Sequence, residues 1–272
     1  MKKEIFLALL LTSFLITACQ NSQPAQEDAG PVEVFAVLAA KDDYKDVGMS
    51  DLLVDYVDNA RLRDTLESLG WPAENIIELR EFTRWDLEAE LDRLELKADA
   101  NDLVVFYITA HGRYLSDVIV WRDFFPEEWA EIPSLNKVLV VDSCQAAKFT
   151  SQLTGEVGLA IAAVAKDEFG WKGIDEEGLP IVGGIFTYYF AEALTDLGAD
   201  EDGDGQVSVQ EAAMAAEIKQ REYMHDVVFA VPEFVAMYHE IGVQPEKDIS
   251  FPDVIITDSL GSDLFLDISG VE

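Results

Sequence analysis

Apolar positions fall along this chain in two alternating patterns. Val32–Ala40, Leu103–Thr109, Val138–Val141 and Gly158–Ala165 are continuous apolar runs rich in Val, Ile and Ala. Runs of this length without polar alternation predict strands covered on both faces. Between them the apolar residues recur at helical spacing. Asp51–Leu69 carries Leu62, Leu66 and Leu69 on one face, and Gly70 and Pro72 stop it. Asn75–Leu79 reads as a short second strand. Thr83 then caps a helix, with Asp86 three residues on in the manner of a capping box, and Leu87, Leu91 and Leu94 form its face. Phe186, Phe190, Leu194 and Leu197 mark a further helix ended by Gly198, and Val209–Tyr223 another. Phe251–Asp267 holds one or two edge strands. Strands alternating with amphipathic helices predict an α/β domain, a mainly parallel sheet with helices on both faces.

The amino terminus does not belong to that pattern. Met1–Cys19 has a basic start, an apolar run and a small-residue end, the plan of a secretory signal. The run is too short for an ordinary membrane span. Ile16-Thr17-Ala18-Cys19 resembles a bacterial lipobox. That resemblance implies cleavage before Cys19 and lipidation of Cys19, hence a membrane partner through a lipid anchor. Gln20 in place of Asp implies the outer membrane in a two-membrane bacterium, and a cell-envelope location in any case. The organisation expected is a signal peptide over 1–18, a flexible tether over 19–31 and one globular domain over 32–272.

Charge and cysteine content narrow the chemistry. With 19 basic and 53 acidic residues the net charge is −34, which disfavours nucleic acid as a partner and suits cations and basic peptides. Two cysteines are present, and removal of the leader with lipidation of Cys19 leaves Cys144 as the only free thiol. An unpaired Cys in an exported protein is either buried and inert or reactive. No Cys-x-x-Cys, no Gly-x-Cys-x-Gly elbow and no phosphate-binding Gly-rich loop is present, and no organic cofactor is expected.

Cys144 closes the block Lys137-Val-Leu-Val-Val-Asp142-Ser143-Cys144, and His111 closes Asp102-Leu-Val-Val-Phe-Tyr-Ile-Thr-Ala-His111-Gly112. Function in parallel α/β sheets collects at the carboxyl ends of strands. A thiol and an imidazole beyond two such ends form a candidate nucleophile and base. The backbone N–H groups of Gly112 and Cys144 are candidate oxyanion donors. In isolation each residue reads more simply, as a structural His and an apolar buried Cys; His225 and His239 are read as structural or surface residues.

These two blocks resemble those of caspase-like cysteine peptidases, the broad group of caspases, metacaspases and legumains. The resemblance runs from Val32 to about Tyr223 and includes the helix around Asn59–Gly70, Thr83-Arg84, and Gly183-Gly184-Ile-Phe-Thr-Tyr-Tyr. The Asp-x-Cys form is similar to metacaspases. It implies that Asp142 lines the primary specificity pocket and that substrates are cut after Arg or Lys. The chain departs from that pattern at Thr109-Ala110, where Ser-Gly is usual, and at Gln145-Ala146-Ala147, where His-Ser-Gly is often seen. The interval from His111 to Cys144 reads as a trimmed loop, and Lys166–Pro180, rich in Gly and acids, as a substrate-side or autoprocessing loop.

A second motif lies at 200–211. Asp200, Asp202 and Asp204 occupy positions 1, 3 and 5 of an EF-hand loop, Gly205 allows the sharp turn, Gln206 offers its carbonyl, Ser208 acts through water, and Glu211 binds bidentately. Hard oxygen ligands at this spacing predict Ca2+. A single hand predicts a structural brace. The expected protein is thus a lipid-anchored cysteine endopeptidase stiffened by calcium. Its alternatives are an inactive pseudo-peptidase that binds peptide without cutting it and a calcium-dependent structural lipoprotein.

Overall fold

The computed structural model describes residues 30–52, 55–153, 155, 157–173, 181–240, 244 and 251–270. The leader, Cys19 and nearly all of the tether lie outside the described residues, as does 174–180 of the acidic Gly-rich segment.

Six strands form the main sheet in the order β2-β1-β3-β4-β5-β8. They are β1 (Val34–Ala40), β2 (Ile76–Arg80), β3 (Leu103–Thr109), β4 (Asn136–Asp142), β5 (Leu159–Ala162) and β8 (Ile255–Asp258). The first five run parallel, and β8 adds antiparallel to β5. Every residue of β1 and β3 is buried, as continuous apolar runs require. Phe35, Val37 and Ala39 of β1 pack on one face with Leu87, Leu91 and Leu94 of α2 (Arg84–Lys97). Val34, Ala36 and Leu38 pack on the other with Leu62, Leu66 and Leu69 and with Phe186 and Phe190. That second layer comprises α1 (Asp55–Ser68), α6 (Ile185–Ala193) and α7 (Val209–Tyr223). The domain is therefore α/β with helices on both faces of a mainly parallel sheet.

Two expectations change, and the interval after His111 proves helical, forming α3 (Gly112–Asp117) and α4 (Phe125–Glu131). Trp121, Phe125 and Trp129 are buried there in a stack, with Trp121 and Phe125 centroids 3.6 Å apart. Their i, i+4, i+8 spacing is a helical signal masked by the brevity of the helices. The helix from Phe186 ends at Ala193; Leu197 is 67% exposed in a separate turn, where the Asp196 carboxylate accepts from Gly198 N at 2.9 Å. The fifth strand stops at Ala162, because Val164 O accepts from Ala147 N and Ala165 N turns to the Glu168 carboxylate at 3.0 Å. The chain thereby leaves the sheet next to Cys144. A two-residue ladder of β6 (Lys172–Gly173) and β7 (Gly183–Gly184) lies beyond, and two further helices are α5 (Ala147–Thr150) and α8 (Pro232–Glu240).

Candidate active site and acidic loop

The β3–β4 register pairs Thr109 with Asp142. His111 and Cys144 therefore each stand two residues beyond one level of the sheet. Gly112 packs directly on the Cys144 backbone: a Cβ at Gly112 would lie 2.1 Å from Cys144 O, so only glycine fits. His111 and Cys144 line one cleft of about 260 Å³, together with Asp51, Asp142, Gly170, Trp171 and Lys172.

His111 is held from the β1 side. Its Nε2 lies 2.9 Å from Ser50 O, its backbone N donates to Tyr44 Oη at 2.9 Å, and its ring packs on Tyr44 with centroids 4.7 Å apart. Tyr44 Oη in turn donates to Lys41 O at 2.8 Å, and Tyr44 N donates to the Asp51 carboxylate at 2.9 Å. The 41–44 turn is anchored by Glu81, which accepts from Lys41 Nζ, Asp42 N, Asp43 N and Tyr56 Oη.

Cys144 is the free cysteine among the described residues and is half-buried. Its thiol donates to Gly170 O at 3.8 Å, and no hydrogen bond joins it to His111 among the described residues. Burial pushes the thiol above its ordinary range; the Gly170 contact and Lys172 oppose that shift, and Asp142 adds to it. The following residue, Gln145, takes a left-handed φ of 59° and donates its N–H to Glu168 O at 2.8 Å, which ties the turn after Cys144 to the 166–173 segment.

Asp142 lines the cleft, and a second buried carboxylate, Asp58, lies beside it. Asp142 accepts from Thr187 Oγ1 at 2.6 Å, and the Thr187 hydroxyl accepts in turn from Tyr107 Oη at 2.8 Å. Asp58, on α1, has both oxygens within 3.0 Å of Gly184 N and an ion pair to Arg61 at 3.0 Å. A Cβ on Gly184 would sit 2.2 Å from Asp142 Oδ2 and 3.2 Å from Asp58 Oδ2, so this glycine brings the two acids together. Asp58 is pushed up to about 6, mainly by burial and further by Asp142, against the favourable charges of Lys172 and Arg61. Asp58, Lys172, Thr187 and Ser50 were not singled out from sequence. Asp58 had a signal: it lies four residues before Leu62, on the apolar stripe of α1. Ser50 acts through its carbonyl and carries none.

Of the other histidines, His225 reaches Phe251 O at 3.2 Å and His239 is exposed; neither lines the cleft.

In the 200–211 loop, carboxylate oxygens of Asp200, Asp202 and Asp204 lie within 4.8 Å of one another. Gly203 N and Gly205 N donate to Asp200, and Asp204 N donates to Asp202. Gln206 N donates to Asp204 at 2.8 Å. Glu211 faces back into the loop, accepting from Glu201 N at 2.9 Å and Asp202 N at 3.3 Å. Three converging aspartates, with a Glu closing the loop, fit a hard divalent cation. Ser208 has a structural place: it is fully buried and caps α7 in a capping box with Glu211. Ser208 also bridges to Phe265, and Val209 N donates to Leu264 O at 2.8 Å, so the C-terminal segment braces this loop where a second hand would otherwise pair.

A family model described as the caspase domain matches residues 33–225. The chain belongs to this peptidase family. Membership makes it a caspase-type cysteine peptidase in general terms, whose substrates are peptides or proteins. Among solved structures it is similar to caspase-1 from Spodoptera frugiperda, at 12% identity and a TM-score of 0.57 over 86% of this chain and 90% of that one, which shows the shared fold. No curated protein matches the chain.

Proposed function

We propose that the chain is a lipid-anchored cysteine endopeptidase that cuts after basic residues, with His111 and Cys144 as its dyad. The observation that supports this reading is the β3–β4 register, which brings His111 and Cys144 to one level beyond the sheet, where both line one cleft with Asp142. In the reaction, Cys144 loses its proton to His111 and Sγ attacks the scissile carbonyl carbon. The oxyanion is met by the N–H groups of Gly112, at the start of α3, and Cys144. The C–N bond then breaks as His111 returns the proton to the leaving amine, and water hydrolyses the thioester. Asp142 and Asp58 supply the negative charge that recognises Arg or Lys.

Gly170 contacts the Cys144 thiol and lines the cleft with Trp171 and Lys172, which supports the reading of this segment as a substrate-side element. Calcium at Asp200, Asp202, Asp204 and Glu211, with Gln206 and Ser208 completing the loop, stiffens the α6–α7 connection. Cys19 carries the lipid that holds the domain at the bacterial envelope.

A second reading rests on the thiol donating to Gly170 and not to His111: a peptide-binding pseudo-peptidase. A peptidyl-arginine chloromethyl ketone separates the two. The account expects one adduct, mapped to Cys144 and lost in His111→Ala. An unmodified Cys144 in a protein that still binds the peptide would favour the pseudo-peptidase.

A further inference from the structure

Asp142 and Lys172 line the cleft, and two further charges meet them there. Asp58, beside Asp142 across Gly184, pairs with both cations: Arg61 Nη1 is 3.0 Å from Asp58 Oδ1, and Lys172 Nζ is 3.4 Å from Asp58 Oδ2. Lys172 Nζ also donates to Thr109 Oγ1, the last residue of β3. The Asp58 side chain is fully buried and that of Lys172 is 11% exposed. Two carboxylates against two cations make the cluster formally neutral. A bare acid pair would draw in a basic side chain; this cluster offers one no net negative charge.

Lys172 is placed there by the fold. It pairs with Gly184 across β6–β7, and Gly184 N is the donor that holds Asp58. The neighbouring Trp171 packs on Phe234 of α8, with centroids 5.0 Å apart. The ammonium thus sits between the end of β3 and the acid pair, where a substrate's cation would lie with its backbone beside Cys144. A fifth, uncompensated charge in such a dry cluster is strongly disfavoured. An entering guanidinium must therefore take the place of the Lys172 ammonium.

We propose that Lys172 is the specificity-determining residue of this pocket, an internal cation that competes with a basic substrate side chain for Asp58 and Asp142. The inference rests on reading the cleft as the substrate site. It gives the Thr109 hydroxyl a role, as the acceptor that holds Lys172. Basic side chains are then accepted only as Lys172 swings away, and removal of its charge opens the pocket to them.

The test is calorimetric binding of agmatine, a small guanidinium, to the Cys144→Ala protein. Lys172→Met is expected to tighten agmatine about tenfold, the scale of one partly screened charge contact. Lys172→Arg, which keeps the charge, stays near the parent, and adding Asp58→Asn to Lys172→Met abolishes the gain. Equal agmatine binding with and without Lys172→Met, or no binding in either, overturns the proposal. With Cys144 restored, the ratio of cleavage after Arg to cleavage after isosteric citrulline should rise about tenfold in Lys172→Met. A wild-type preference for Asp or Asn that vanishes in Lys172→Met would also overturn it, since Lys172 would then read the substrate directly. Tighter agmatine without cleavage of any peptide would leave the Lys172 assignment standing and defeat the peptidase reading.

Discussion

His111 Nε2 lies 2.9 Å from the carbonyl oxygen of Ser50. A carbonyl only accepts, so Nε2 carries the proton and the neutral ring keeps Nδ1 as its basic nitrogen. The loop bearing Ser50 is fixed to His111 by Tyr44, whose hydroxyl accepts from His111 N and donates to Lys41 O. Tyr44→Phe leaves His111 N–H without this acceptor and should cost about 1–3 kcal/mol in urea unfolding. Because the His111 backbone loses this anchor, kcat should fall while KM for a basic peptide changes little. A full kcat in a destabilised variant would separate Tyr44 from the placement of His111.

The acid that Asp142 supplies depends on Thr187. Removing its hydroxyl in Thr187→Val takes away a hydrogen bond to a buried carboxylate and also the acceptor for Tyr107 Oη. The expected cost is about 1.5–3 kcal/mol of stability, with a raised KM for Arg peptides and no change in the rate of Cys144 alkylation. Thermal or urea unfolding beside steady-state kinetics checks both parts.

Burial holds the Cys144 thiol above its ordinary range, which fixes a sign. The thiolate is the reactive form, and its fraction at neutral pH is small. Iodoacetamide alkylation of the resting protein should therefore climb about tenfold per pH unit from 7 to 9 without levelling off. A plateau below pH 8 would mean that thiolate and imidazolium are already paired in the free protein.

The sheet was legible in the sequence because its strands are unbroken apolar runs: Leu103–Thr109 is found with the bounds read from the chain, and Val209–Tyr223 likewise. Where side chains outside an element decide its end, the reading drifted. Val164 and Ala165 are apolar yet leave the sheet, because their backbone partners are Ala147 and the Glu168 carboxylate. His111 and Cys144 were visible as residues at strand ends. Their surroundings were not: Asp58 and Lys172 lie 114 residues apart in the chain and meet only through the β6–β7 ladder. Ser50 contributes a carbonyl, which every residue has.

Calcium supplies a test independent of catalysis. Asp200, Asp202 and Asp204 crowd like charges into one loop, and that loop joins α6 to α7 and is braced by Leu264 and Phe265. Millimolar Ca2+ should raise the melting temperature by several degrees, as ligand linkage requires at a hundredfold excess over Kd. Asp200→Asn with Asp204→Asn should remove that rise while magnesium at the same concentration leaves it small. An unchanged melting temperature in wild type would contradict the calcium assignment.

The most direct test of the central claim is cleavage of fluorogenic peptides ending in Arg, Lys, Asn or Asp by the protein from Asn21 onward, beside Cys144→Ala and with and without calcium. The account predicts turnover after Arg or Lys that Cys144→Ala abolishes. Turnover that survives in Cys144→Ala, or none on any peptide while Cys144 remains resistant to alkylation, would contradict it.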